Sequence, residues 1–302
     1  MKIAFIWQGF SGVYGHWNDG LKRAMDIISM DNIVRYFDTD LTGLDEFNPD
    51  VCLYWEAPCT FAGKDRENYQ KIQRLPYKKA LLFAGGPIKE EWCGGFDLFF
   101  VESAVNEKEF SAINKPWKRA FGVNVDIFKP QKQPKIFKGM FQATCASWKR
   151  HWLLAEAFGS GAVFCGRDQK EDGIGFIRSR NAGSLVLPEL PYEAVSSLIN
   201  SSYTVVNCSD YWGGGQRTTL EAMACGVPVV VMEDSIKNRE YVEDAGIGSI
   251  INPSSEAIKN EVEKIIKDYN PEFNLKFREY VLSKWTSEHY AKNLLDGIKE
   301  IC

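Results

Sequence analysis

The sequence predicts an α/β protein built from two doubly wound domains, and three observations support this prediction. Short apolar runs alternate with helical patterns along the chain, which is typical of parallel sheets covered by helices. The runs fall into two series, and the polar segment 131–134, which ends in proline, separates them. With 302 residues, the chain is also near the size at which a single core stops growing and a second domain is expected.

Each series predicts a six-stranded sheet. The first six strands are expected near residues 3–7, 33–37, 51–55, 80–84, 98–102 and 119–121. The second six are expected near residues 137–142, 163–165, 185–187, 204–207, 229–232 and 249–251. Helices are expected between the strands, on both faces of each sheet.

Composition excludes several classes of protein. Hydrophobic residues make up 45% of the chain and charged residues 25%, as in ordinary globular proteins, so a disordered chain is excluded. The formal net charge of -4 supplies no long-range attraction to nucleic acid or to an anionic membrane. A local basic patch is compatible with that charge.

The cysteines and the start of the chain predict a cytoplasmic protein. The eight cysteines form no Cys-x-x-Cys pair, which argues against a zinc ribbon or a disulfide framework and favours free buried thiols. The apolar run after Lys2 is too short for a signal peptide, and no later run approaches the length of a membrane span.

Ligands of doubly wound sheets bind beyond the carboxyl ends of the strands, so those ends nominate the site. In the second series the most informative end is the stretch 211–228. Three consecutive glycines at 213–215 precede a helix predicted over 216–224, where they would present backbone amides to an anion. Arg217 and Glu221 are four residues apart and therefore lie on one face of that helix. An ordinary surface pair between these two side chains is the alternative explanation of the spacing.

These residues carry a resemblance to a known family. The segment Gly-Gly-Gln-Arg-Thr-Thr-Leu-Glu-Ala-Met-Ala-Cys-Gly-Val-Pro-Val-Val resembles the donor-binding segment of the GT-B glycosyltransferases, in particular the retaining group 1 family that includes sucrose and glycogen synthases. Further segments match in the same order, at 96–103, 122–130, 148–158 and 285–301. The match is firm from about residue 96 onward.

The resemblance implies two Rossmann-like domains that face a central cleft. Residues 1–125 are expected to form the acceptor-side domain and residues 126–284 the domain that binds the nucleotide-sugar. Residues 285–302 are expected to form a terminal helix that crosses back to the first domain.

On the donor side, the resemblance assigns Lys149 to the diphosphate. The arginine that usually stands five residues earlier in the family is replaced here by Thr144, and Arg150 or Arg217 is a candidate substitute because a guanidinium can grip two phosphate oxygens. Gly12 resembles the family glycine that approaches the diphosphate. The donor-binding prediction also includes Gly213, Gly214, Gly215, Gln216 and Thr218.

Glu221 matches the second of two family glutamates spaced eight apart, the one that holds the ribose hydroxyls. The first of that pair falls at position 213, where this chain has glycine. Asp210 is a possible substitute three residues away. The side chain that faces the donor sugar in the family is therefore missing at position 213.

The acceptor side offers two candidate acid-base residues, His16 in the loop after the first strand and Glu56 at the end of the third. A structural, hydrogen-bonded histidine is the alternative for His16. The segment 38–40, Asp-Thr-Asp, has the form of a metal-binding motif, but its position after a strand favours a turn. No metal and no cofactor are expected.

The sequence therefore predicts a metal-independent glycosyltransferase that moves a sugar from a nucleotide diphosphate sugar to an acceptor hydroxyl, with retention. A nucleotide-sugar 2-epimerase and a non-catalytic nucleotide-sugar binding protein are the alternatives. The acceptor, which includes glycan, lipid, small-molecule, protein and modified DNA base among its candidates, is not determined by the sequence.

We expect Glu221→Ala to weaken nucleotide-sugar binding about tenfold or more, which corresponds to 1.4 kcal/mol per decade. The reason is the loss of charge-assisted hydrogen bonds to the ribose. Isothermal titration calorimetry measures the affinity, and circular dichroism checks that the fold is kept. An unchanged affinity would remove Glu221 from the donor site.

Overall fold

A computed structural model of the chain describes residues 1–7, 19–56, 64–83, 88, 90–167, 177, 183–211 and 214–302. The chain divides into two compact units. The first contains Met1–Gly122 together with Ser287–Cys302, and the second contains Val123–Thr286.

The first unit is a six-stranded parallel sheet with helices on both faces. Its strands are β1 (Lys2–Ile6), β2 (Ile33–Phe37), β3 (Val51–Glu56), β4 (Lys78–Phe83), β5 (Leu98–Val101) and β6 (Trp117–Arg119), in the order β2-β1-β3-β4-β5-β6. Its helices are α1 (Asp19–Ile28), α2 (Leu44–Phe47), α3 (Lys64–Gln73), α4 (Ala104–Ala112) and, from the end of the chain, α11 (Ser287–Ile301). Alternate residues of β1 enter different cores, Ile3 and Phe5 on one face and Ala4 and Ile6 on the other. That alternation explains why the strands read as continuous apolar runs.

The second unit repeats this architecture. Its strands are β7 (Phe137–Gln142), β8 (Ala162–Cys165), β9 (Leu185–Leu187), β10 (Ser202–Asn207), β11 (Val229–Met232) and β12 (Ser249–Ile251), in the order β12-β11-β10-β7-β8-β9. Its helices are α5 (His151–Phe158), α6 (Tyr192–Asn200), α7 (Gln216–Ala224), α8 (Ile236–Ala245), α9 (Ser255–Lys267) and α10 (Pro271–Lys284). All of the strand pairs are parallel.

These two sheets confirm the predicted α/β class with two doubly wound units, and one predicted strand was misplaced. The sixth strand was predicted at 119–121, whereas β6 spans Trp117–Arg119 and pairs with β5 through Phe99 and Trp117. The apolar pair Ala120 and Phe121 is buried beyond the strand end, where Phe121 packs against Tyr290. The burial of apolar residues beyond the end of the strand therefore produced the error.

Helix α11 packs on the first unit through one stripe. Tyr290, Leu294 and Ile298 recur at intervals of four and belong to the same buried core as β1. Among the helices in the described residues, none has a stretch that is both long and apolar enough to span a bilayer.

We expect Gly297→Ala to destabilise the first unit. A methyl group at this helical position would lie 2.6 Å from Cε1 and 2.7 Å from Cζ of the buried Phe100 ring. Alanine favours a helix by about 1 kcal/mol over glycine, but overpacking costs about 1 to 3 kcal/mol, so the melting temperature should fall by a few degrees. Adding Phe100→Leu should recover part of the loss in a double-mutant cycle. A variant as stable as the wild type would contradict this packing.

Candidate functional site

The candidate site lies where three neighbouring strands of the second sheet end. Strands β11, β10 and β7 are adjacent and parallel, so their carboxyl ends meet at one edge of the sheet. The segments that leave these ends are 143–150 after β7, 208–211 after β10 and 233–235 after β11. Helix α7 begins at the same edge, after the glycine turn, and this edge is where doubly wound sheets bind ligands.

A buried amide network fixes the glycine turn. Asn207 Nδ2 donates to the carbonyl of Gly215 at 3.0 Å and to Asn238 Oδ1 at 2.9 Å, and Asn238 Nδ2 donates to the carbonyl of Gly214 at 2.9 Å. Thr219 Oγ1 donates to Asn238 Oδ1 at 3.0 Å. Both asparagines and Thr219 are buried. The carbonyls of the turn are therefore held on the protein side before any ligand arrives.

The conformation of the turn requires glycine. Gly214 has φ 55° and Gly215 has φ 102°, and a Cβ on Gly215 would lie 2.8 Å from Asn207 Nδ2. Gly215 is the N-cap of α7 and has no side chain with which to cap the first amides of the helix. These amides carry the positive end of the helix dipole, which favours an anion.

Lys149 lies in a short 3-10 turn after β7 and is buried, with 8% of its surface exposed. Its Nζ donates to Ser209 Oγ at 3.3 Å. Burial lowers the pKa of Lys149 to about 8, the charge of Asp210 opposes the shift, and the charges of Arg217 and Lys237 add to it. The ammonium group thus lies among other charges in a site with little water, where a phosphate would stabilise its protonated form.

Arg150 holds the three strand ends together. Its Nε donates to the carbonyl of Cys208 and its Nη2 to the carbonyl of Ser209, both at 2.8 Å. Nη1 and Nη2 also grip the carboxylate of Asp234 at 2.7 and 2.8 Å. Four hydrogen bonds thus engage this guanidinium inside the protein. Its donor contact stays a prediction, and the structure gives it a supporting role.

Glu221 is fully buried on α7, so the alternative of an ordinary surface pair with Arg217 is wrong. Arg217 Nε lies 3.4 Å from Glu221 Oε1, and its guanidinium carbon lies 5.8 Å from the centre of the Tyr192 ring. The carboxylate also acts on nearby thiols. Burial raises the pKa of Cys165 to about 12, and the charge of Glu221 adds to that rise.

The other predicted donor residues have different positions. Thr218 Oγ1 donates to the carbonyl of Gln142 at 2.9 Å and so attaches α7 to the end of β7. Gln216 is buried at the first position of α7. Asp210, the possible substitute carboxylate, donates its backbone amide to the carbonyl of Trp148 at 3.0 Å, beside Lys149. Gly12, His16 and Gly213 lie outside the described residues.

In the first unit, Glu56 is the last residue of β3 and is partly buried, next to Trp55, whose ring packs on Trp7 at 4.7 Å. The segment 38–40 forms a turn, in which Asp38 Oδ1 accepts from the backbone amide of Thr39 at 2.6 Å. Within the residues that the structure describes, no group of three or more metal-ligating side chains comes together.

Four residues of the site were missed at the level of sequence. Asn207 ends β10, and polarity at a strand end could have nominated it. Asn238 and Lys237 begin α8 in a polar run that is typical of an exposed helix start, yet both are buried. His151, two residues after Lys149, is buried between Phe141 and Phe164. Burial, with the charge of Lys149 as a second cause, lowers the pKa of His151 to about 3, so this imidazole is neutral.

A cavity of about 330 Å³ lies elsewhere in the second unit. Its lining includes Val229 and Ser249, the first residues of β11 and β12, together with Glu261, Tyr269 and Asn274. It is therefore at the amino ends of the strands, opposite the edge that carries Lys149 and α7. We place the candidate site at the carboxyl edge because the charged side chains converge there.

Comparison with known proteins shows which family part of the chain is similar to. Residues 162–283 match the family model described as glycosyl transferases group 1. The matched segment includes the glycine turn and the whole of α7, and it confirms the resemblance predicted from the sequence. Among curated proteins, none matches the chain.

Solved structures with the same fold cover nearly the whole chain. Sucrose-phosphate synthase from Thermosynechococcus elongatus is similar with a TM-score of 0.75 and 14% identity, over 99% of this chain and 98% of its own. Anabaena Alr3699/HepE in complex with UDP-glucose has a TM-score of 0.76 and 13% identity, over 99% of this chain and 100% of its own. A glycosyltransferase from Rickettsia africae has a TM-score of 0.72 and 13% identity, over 99% and 98%. The predicted GT-B fold is confirmed, and together with the family match it supports an enzyme that transfers sugars.

We expect Gly215→Ala to destabilise the second unit more than Gly246→Ala does. Both glycines have positive φ, which costs an alanine about 1 to 2 kcal/mol, but nothing lies within 4 Å of a Cβ on Gly246. At Gly215 the methyl group would also displace the Asn207 amide, which would leave buried polar groups without partners. Urea denaturation of the two variants measures the difference. Equal losses of stability in the two variants would show that the amide network tolerates displacement of the Asn207 side chain.

Proposed function

We propose that this protein transfers a sugar from a nucleoside diphosphate sugar to an acceptor hydroxyl, with retention and without a metal. One observation carries the proposal. A buried carboxylate, Glu221, and a buried ammonium, Lys149, lie at one strand edge beside a glycine turn that opens a helix. A nucleoside diphosphate sugar needs those groups, because it brings a diphosphate, a ribose diol and a hydroxyl-rich ring.

The diphosphate would be bound by Lys149 and the first amides of α7. A helix N-terminus contributes about 2 kcal/mol at most, whereas micromolar binding requires roughly 8 kcal/mol. Side-chain charge must therefore supply a large part of the affinity. Lys149 is suited to this because it is buried at the strand edge, where charges interact strongly, and its Nζ lies 3.3 Å from the hydroxyl of Ser209.

The ribose would be bound by Glu221. A carboxylate has only acceptor positions, and a ribose diol offers two donors, so the two groups fit each other. Each bond to a charged acceptor contributes about 1.5 to 3 kcal/mol. Arg217, which pairs with Glu221 and is 36% exposed, would contact the diphosphate from the solvent side.

Catalysis in this proposal is electrostatic stabilisation of the leaving group. When the bond between the sugar and the diphosphate breaks, negative charge develops on the diphosphate, and fixed donors stabilise it most strongly where water is excluded. Lys149 and the α7 amides are the donors positioned for that charge. Retention and independence of metals rest on the resemblance to the group 1 family.

The acceptor would be bound by the first unit, where His16 and Glu56 remain the candidate acid-base residues. We also propose a cytoplasmic location, which is supported by seven free cysteines, six of them buried, among the described residues.

A non-catalytic nucleotide-sugar binding protein is the second candidate, because glycine stands at position 213 where the family has a carboxylate. Incubation with a panel of nucleoside diphosphate sugars separates the two. Release of the nucleoside diphosphate, by hydrolysis or transfer, supports the transferase. Tight binding with no turnover supports the binding protein, and exchange of isotope at C2 of the sugar would indicate an epimerase. No binding of any donor would overturn the proposal.

We expect nucleoside diphosphate binding to weaken about tenfold between pH 7 and pH 9, as Lys149 loses its proton through its lowered pKa of about 8. The sign follows because only the ammonium form attracts phosphate. Lys149→Arg, whose guanidinium stays charged over this range, should reduce the change of affinity with pH. Titration calorimetry at several pH values measures both proteins. If the affinity of the variant changes with pH as much as that of the wild type, a group other than Lys149 causes the pH dependence.

A further inference from the structure

Lys237 is a buried cation to which the resemblance assigns no role. Only 4% of its surface is exposed, although it lies at the second position of α8. A buried ammonium costs several kcal/mol of desolvation free energy unless other groups compensate it, so lysines are almost never found this deep without a reason.

The neighbours of Lys237 place it at the same edge as Lys149. It follows β11 by five residues, and the intervening Asp234 is gripped by Arg150. The next residue, Asn238, donates to the carbonyl of Gly214 in the glycine turn. The start of α8 is thus attached both to the β7 end and to the turn before α7.

Burial is the main cause of the lowered pKa of Lys149, and the positive charges of Arg217 and Lys237 lower it further. Two cations, Arg217 and Lys237, therefore lie within electrostatic range of Lys149. Two carboxylates accompany them. Asp210 attracts Lys149 and Glu221 pairs with Arg217, while Arg150 and Asp234 neutralise each other.

Lys149, Arg217 and Lys237 thus bring three positive charges to this edge of the sheet, and positive charges that lie close together are costly in a buried region. Like charges in a site with little water repel each other strongly. An anion with more than one negative charge removes that repulsion, whereas a neutral ligand does not. The arrangement is suited to a polyanion rather than to a sugar hydroxyl.

We propose that Lys237 is a second diphosphate-binding lysine, which acts on the donor together with Lys149. The inference rests on the proposed function, and it assigns to α8 a direct part in donor binding. It implies that the contribution of Lys237 to affinity increases with the negative charge of the ligand. The affinity for the nucleoside part of the donor should not depend on Lys237.

The test compares UDP with uridine, or the matching pair of whichever base the wild-type protein prefers. We expect Lys237→Met to raise the Kd for UDP at least tenfold in titration calorimetry and to leave the Kd for uridine, followed by NMR titration, within twofold. Lys237→Arg should keep UDP affinity within about threefold, because the charge remains. Lys259→Met is the matched control, since Lys259 is an exposed lysine of α9 in the same unit.

Each outcome decides one question. An equal loss for UDP and uridine, or no loss for either, would overturn the role of Lys237 while the proposed function stands. A wild-type protein that binds no nucleoside diphosphate would overturn the proposed function itself. If Lys237→Met does not fold, Lys237→Gln is measured instead, and the ratio of the two Kd values remains the deciding quantity.

Discussion

The hydrogen bonds that meet at Ser209 hold the whole candidate site in place. Its backbone amide donates to Asn207 Oδ1 at 3.2 Å, its carbonyl accepts from Arg150, and its hydroxyl accepts from Lys149. Ser209 thereby joins the amide network that fixes the glycine turn to the hydrogen bonds of Arg150, which fix the ends of β7 and β11. The position of Lys149 relative to α7 follows from these two sets of contacts, so the site is preorganised for its ligand.

The charged groups at this edge form two sets. In the first set, Arg150 and Asp234 neutralise each other in a bidentate pair, and Arg150 also satisfies two backbone carbonyls. In the second set, Lys149 and Arg217 are positive and are coupled to Asp210 and Glu221. The first set gives rigidity without repelling the cations of the second set, and those cations give affinity for an anion. A single arginine in the place of both sets could not perform both tasks.

The sequence predicted the sheets well because apolar runs report burial, and it predicted α7 because glycine and proline mark the ends of that helix. It predicted the site less completely. The task of Arg150 depends on Asp234, which is 84 residues away, and spacing along the chain carries no sign of that pair. The burial of Lys237 and Asn238 is likewise a result of packing between elements, since their local pattern resembles an exposed helix start. The sixth strand was misplaced for the converse reason, because Ala120 and Phe121 are buried without belonging to it.

The glycine at position 213 affects one part of the proposed reaction more than the rest. The carbonyls of Gly214 and Gly215 are fixed by Asn207 and Asn238, so the conformation of this part of the turn does not depend on a carboxylate at 213. The groups assigned to phosphate and ribose, Lys149 and Glu221, are held by Ser209 and Arg217 respectively. Donor affinity is therefore separable from recognition of the transferred sugar, which is the part that the family carboxylate serves. A protein of this kind can bind its donor firmly and still differ from its family in the sugar that it transfers or in the rate at which it does so, and for that reason binding and turnover have to be measured independently.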